Sequence, residues 1–120
     1  EAAALTPATN YIKAQRARSL FNRGIAEALE QFEVLLTPTV PISAPRIDEV
    51  ELQIDKLPRL TRPFNLCGLP AISVPCGFTS SGMPIGMQLA GRAFDEATVL
   101  NVAHAYERAT DWHTRRPPVG

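Results

Sequence analysis

The chain has 120 residues, 45% of them apolar and 20% charged, with 12 Lys+Arg balanced by 12 Asp+Glu. That length fits one domain or part of a larger one, and high apolar content at zero net charge excludes a disordered chain. A pI near 7.0 offers no electrostatic footprint for DNA, RNA or anionic lipid, no apolar run approaches the roughly 20 residues needed to cross a bilayer, and no signal peptide opens the chain.

The first predicted element is a long helix over residues 6–32. Thr6-Pro7 offers an N-cap followed by Pro at the first helical position, where its missing N–H costs nothing. Tyr11, Ala14, Phe21, Ile25, Ala28 and Phe32 recur at helical spacings and define the face expected to be buried. Arg18 falls on that stripe. Either its stem snorkels and the charge reaches solvent, or it is held against a carboxylate or backbone carbonyls where elements meet.

Val34-Leu35-Leu36-Thr37 is a short continuous apolar run stopped by Pro38, which predicts a strand over 34–37 covered on both faces. Residues 43–63 mix Pro, Arg, Asp and Glu without a sustained period and read as a long surface loop. Residues 71–92 read as an antiparallel hairpin. Ala71-Ile72-Ser73-Val74 alternates and is closed by Pro75; Thr79-Ser80-Ser81-Gly82 has turn composition; Ile85-Gly86-Met87-Gln88-Leu89 alternates again. One face of this hairpin is bulky, and the other, with Gly86, Gln88 and Ala90, is nearly bare, so another group can approach it closely. Asp95 is an N-cap candidate for a closing helix over 95–110 that carries Val99, Val102, Ala103, Tyr106 and Ala109 on one side. The tail Arg115-Arg116-Pro117-Pro118 ends it. Helix, strand, loop, hairpin and helix in that order predict an α/β or α+β layered arrangement.

The two cysteines, Cys67 and Cys76, flank the first hairpin strand, too far apart along an extended chain to bridge, and so are expected as free thiols in a reducing cytoplasm. Their spacing is no zinc pattern, and His104 and His113 lie far along the chain, so no metal is expected. Cys76 has no neighbouring His to make it a nucleophile. Gln88 on the bare face reads as a buried amide with its hydrogen bonds satisfied.

The run Asn65-Leu66-Cys67-Gly68-Leu69-Pro70-Ala71-Ile72-Ser73-Val74-Pro75-Cys76-Gly77, followed by Gly82-x-Pro84-x-Gly86-x-Gln88-x-x-Gly91, resembles the C-terminal part of the amidase signature family, serine hydrolases of carboxamides. Gln15-Arg16-Ala17-Arg18, Leu36-Thr37-Pro38-Thr39, Phe94-Asp95-Glu96 and Arg116-Pro117 extend the resemblance in the family's order, with Glu33 a departure where the family commonly has Asp. It implies the C-terminal portion of an α/β/α layered fold with a mixed sheet. It also implies a Ser nucleophile, a second Ser in a cis peptide and a Lys base, all of which lie in the family's preceding two-thirds. No catalytic residue is therefore expected here. Lys13 and Lys56 read as solvated, and Ser80-Ser81-Gly82 occupies a hairpin turn.

Asn65 and Cys67 match the family's approach to the substrate pocket and are the pocket candidates. Beside that role stand the plainer ones of an amide satisfying turn backbone and a small buried hydrophobe. The resemblance implies no cofactor, a small-molecule amide substrate, and either self-association through open strand edges or pairing with the preceding part of the fold. In the family's glutamine-hydrolysing branch an Asp stands five residues before the Pro of Thr-x-Pro-x-Asn. Here that stretch is Thr61-Arg62-Pro63-Phe64-Asn65 and the position holds Pro58, with Asp55 three residues away. A general amidase is therefore favoured over the glutamine-hydrolysing amidotransferase, with a non-catalytic assembly module as a further alternative.

Overall fold

The structure, a computed structural model, describes residues 5–117. Its elements are α1 (Ala8–Gln31), β1 (Val34–Pro38), a 3-10 turn (Ile47–Glu49) running into α2 (Val50–Gln53), α3 (Arg62–Cys67), β2 (Ala71–Phe78), β3 (Pro84–Gly91), α4 (Glu96–Ala109) and a last 3-10 turn (Trp112–Thr114). The strands form one sheet in the order β1-β3-β2 with both pairings antiparallel. The predicted hairpin is β2–β3, in register from Ala71↔Ala90 to Pro75↔Gly86 and shifted by a bulge between Pro75 and Gly77. Pro75 does not end β2, as its missing N–H predicted. β2 is an edge strand, where one ladder bond can be forgone, and the bulge follows at once.

The bulky face of the sheet carries the core. Val74 and Leu89 pack with Val99 and Ala103 of α4, flanked by Val34, Ile72, Met87, Val102 and Tyr106. The Asp95 side chain accepts a hydrogen bond from the Thr98 N–H at 3.4 Å and so caps α4 as its sequence predicts. Leu36 lies on the same face one strand over, opposite Leu89, yet is 63% exposed. The expectation of a strand covered on both faces is thus corrected: α4 packs over β2 and β3, and on β1 the cover reaches Val34 but leaves Leu36 open.

α1 departs from its predicted form in two ways. Pro7 occupies the N-cap position with extended backbone and no side-chain cap, so Thr6 is not used. The Pro7 carbonyl instead accepts from the Asn10 and Tyr11 amides. The predicted apolar stripe is mostly not buried, with Tyr11, Phe21 and Phe32 all exposed. The docked face is the row Gln15, Arg18, Asn22, Ile25 and Leu29, of which only Leu29 is fully buried. Apolar residues surround this helix on most sides, so periodicity could not choose between faces. What anchors α1 is polar. The Arg18 guanidinium donates to the Leu66 carbonyl at 2.7 Å, and Arg92 donates to the carbonyls of Leu29 at 2.8 Å and Phe32 at 3.3 Å. α1 has no basic residue in its own last turn. Arg92, from just past β3, supplies the positive charge that the unpaired carbonyls of a helix C-terminus favour.

The segment 43–63, expected as loop, contains the 3-10 turn, α2 and the start of α3. These turns are four residues or fewer except α3, too short to show a hydrophobic period.

Candidate functional site

α3 is placed by its ends. Pro63 is accepted in its first turn, where N–H groups lack intrahelical partners anyway, and Gly68 closes it in the left-handed conformation (φ +70°) that a side chain would strain. The Gly68 and Leu69 amides return to the carbonyls of Asn65 and Phe64. Phe64 is thereby buried, and the segment Leu60–Phe64 is held over the bare face of the sheet.

On that face lies a polar recess of about 280 Å³, lined by Thr39, Thr61, Phe64, Asn65 and Ser73 with Gln88 at its floor. Gln88 is buried. Its amide nitrogen donates to the Thr37 hydroxyl at 3.0 Å and to the Leu60 carbonyl at 3.1 Å, which ties β3, β1 and the approach to α3 together. The hydroxyls of Thr39 and Ser73 hydrogen-bond to each other above Gly86. A Cβ on Gly86 would lie 2.8 Å from both hydroxyl oxygens, so glycine here makes the bridge between the outer strands possible. The predicted close approach to the bare hairpin face is this hydroxyl pair. Its members were not singled out from sequence, because Thr39 and Ser73 are 34 residues apart and only the strand register joins them.

A second recess, of about 520 Å³, opens on the other side of α3 between that helix and α1. It is lined by Phe21, Arg59, Arg62, Pro63, Asn65 and Leu66. Asn65 therefore borders both recesses. Its amide nitrogen donates to the Thr61 carbonyl at 3.2 Å, one helical turn back, which leaves Oδ1 as an acceptor without a partner among the described residues. Cys67 is half-buried and lines neither recess. Burial pushes its thiol pKa up, and the nearby Arg18 charge offsets part of that by favouring the thiolate. Both cysteines are free. The two pocket candidates thus share a helix but have different surroundings.

Among the described residues no carboxylate lines either recess. Lys13 and Lys56 are both exposed. The Ser81 hydroxyl bonds to Thr79 within the hairpin turn. Among the described residues no group of His, Cys, Asp and Glu is arranged to hold a metal ion, and no helix is long and apolar enough to cross a membrane.

The three-stranded sheet packed by helices, with Asn65 of an Asn-x-x-Gly-x-Pro segment bordering two recesses, is a layered α/β arrangement, and sequence comparison gives its family. The family described as Amidase matches residues 1–100, and the chain belongs to it. Its relatives include a glutamyl-tRNA(Gln) amidotransferase subunit from Synechococcus sp. (strain JA-2-3B'a(2-13)), 47% identical over 92% of this chain and 22% of the relative. The same subunit from Thiobacillus denitrificans is 48% identical over 89% of this chain and 23% of the relative. Among solved structures, the corresponding Thermotoga maritima amidotransferase subunit superposes with a TM-score of 0.77 at 37% identity, covering 84% of this chain and 23% of that one. A substrate complex of 6-aminohexanoate cyclic dimer hydrolase reaches a TM-score of 0.83 at 28% identity, covering 97% and 27%. The chain spans less than a quarter of the length of the curated relatives it matches.

Proposed function

We propose that this chain is the C-terminal segment of a cytoplasmic enzyme that hydrolyses carboxamides, supplying scaffold and one wall of the substrate pocket. The single observation that carries this reading is the match of residues 1–100 to the amidase family. The parent reaction is attack of a serine on the amide carbonyl, release of ammonia or an amine, and hydrolysis of the acyl-enzyme. Such a serine needs a base within hydrogen-bond reach and donors for the oxyanion. Neither lysine of this chain bonds to a serine, so the nucleophile, its partner serine and the lysine base are assigned to the rest of the parent protein. Asn65, with its free Oδ1 between two recesses, is the proposed pocket contact. Cys67, next to Leu66 on α3, lines neither recess itself and is read as a small, half-buried side chain of that wall. The free thiols support a reducing compartment. The outer edges of β1 and β2 are unpaired within the sheet and suit pairing with the remainder of the fold.

A second reading, the glutamine-hydrolysing part of an amidotransferase, is favoured by identities of 47% and 48% to amidotransferase subunits. Against it stand Pro58 at the position of that branch's Asp and the absence of any carboxylate lining the recesses beside Asn65. Nothing on this wall neutralises an ammonium group. The test is ammonia release by the full-length parent from glutamine and from simple aliphatic and aromatic amides. Turnover of simple amides ahead of glutamine is expected, and glutamine as best substrate would establish the second reading. Amide hydrolysis by residues 1–120 alone, lost on replacing one of their own side chains, would overturn both.

A further inference from the structure

We propose that Gln88 is a positioning residue of the substrate pocket: from the middle strand of the sheet it fixes the segment that presents Asn65 to the bound amide. This rests on the amidase reading above, with Asn65 as its pocket contact. Gln88 is 4% exposed, the one buried polar side chain among the described residues, and lies between Thr37 of β1 and Ser73 of β2 in the strand register. Burying an amide is costly unless its N–H groups are matched. Here one is matched within the sheet, by the Thr37 hydroxyl at 3.0 Å, and the other leaves the sheet for the Leu60 carbonyl at 3.1 Å. A carbonyl only accepts, so it fixes which end of the Gln88 amide faces the crossing segment. The next carbonyl along, that of Thr61, takes both the Asn65 backbone N–H at 3.3 Å and its side-chain nitrogen at 3.2 Å. Oδ1 of Asn65 is thereby left to accept an N–H from an amide held beside α3. The Pro58 carbonyl accepts from the Thr61 hydroxyl and the Arg62 amide, so residues 58–65 are bonded turn by turn and a tether at Leu60 sets the place of Asn65. The sheet does not need this tether for its core, which lies on the opposite face among Val74, Leu89, Val99 and Ala103. An apolar side chain at position 88 would fill the same space without the cost of burying an amide. What the amide adds is direction, because a fully satisfied buried network admits one arrangement of the segments it joins.

The test is steady-state kinetics of the intact parent enzyme with whichever of glutamine, hexanamide and benzamide it hydrolyses fastest. Gln88→Met keeps the length of the side chain and loses both donors. It is expected to raise KM by about fivefold or more with kcat within about twofold of wild type, because Asn65 holds the amide equally before and during bond breaking. Asn65→Ala is expected to raise KM to a similar extent, and in its background Gln88→Met adds less than about twofold. Val99→Ala, which weakens the core on the opposite face of the sheet, lowers stability with KM unchanged and so separates positioning from mere loss of stability. Where Gln88→Met does not fold, Gln88→Asn, an amide one methylene too short to span both partners, takes its place with the same expectations. A wild-type KM in the folded variant, a loss confined to kcat, or full additivity with Asn65→Ala overturns the assignment while amide turnover stands. Turnover of none of the three amides removes the amidase reading, and the assignment with it.

Discussion

Gly91→Ala is expected to loosen the packing of α4 on the sheet. A Cβ at that position would lie 2.5 Å from Val99 Cγ2, where carbon atoms prefer about 3.5–4.0 Å. Val99 is 3% exposed and packs among Val74, Leu89 and Ala103, and a valine in a helix has essentially one χ1 rotamer. The methyl cannot turn aside, so α4 must shift or Val99 must leave its rotamer. Overpacking of this kind costs about 1–3 kcal/mol. The entropy an alanine removes from the unfolded chain returns about 0.4–1 kcal/mol, which leaves a net loss centred on about 1.3 kcal/mol and no larger than about 2.6 kcal/mol. The assay is chemical denaturation followed by circular dichroism, with a double-mutant cycle. Val99→Ala costs stability by itself, but in its background Gly91→Ala should cost at least about 1 kcal/mol less, because the clashing methyl is gone. An equal cost in both backgrounds, or a single variant within about 0.5 kcal/mol of wild type, would refute this account of the contact.

Arg92→Ala removes both bonds to the C-terminal carbonyls of α1 and should cost about 1–2 kcal/mol at these partly exposed sites, with early fraying of α1 seen in amide exchange. Unchanged protection of residues 28–31 would contradict it. Gln88→Leu keeps the volume but leaves the Leu60 carbonyl and Thr37 hydroxyl without their donor, a loss of about 1–3 kcal/mol in denaturation. Adding Thr37→Val should recover part of that loss, and no recovery would mean the network is not the cause. Because burial raises the Cys67 thiol pKa, its alkylation should set in at higher pH than that of a free thiol peptide. The sign for Arg18→Met follows from its charge: losing a cation that favours thiolate moves the alkylation midpoint further up. A midpoint that falls would show that Arg18 acts there mainly by shielding the thiol.

Alternation along residues 71–92, the turn residues between the strands and the Asp95 cap are local signals. They were legible because each depends on neighbours within a few positions, and the hairpin and α4 follow them closely. The family, too, was legible in the chain's own motifs. The buried face of α1 was not. Its apolar residues point several ways, and the docked row was chosen by Arg18 and Arg92 reaching carbonyls 48 and more residues away. Asn65 could be singled out from its motif, but the recesses on either side of it could not. One needs Gly86 beneath a bridge between Thr39 and Ser73, and the other needs α1 laid beside α3 so that Phe21 meets Arg59 and Arg62. The sequence by itself determined the local elements, since backbone preference and side-chain period act over one or two turns of chain. Tertiary structure alone decided which side chains share a cavity and which charges stay unpaired, since those depend on distances between segments far apart along the chain.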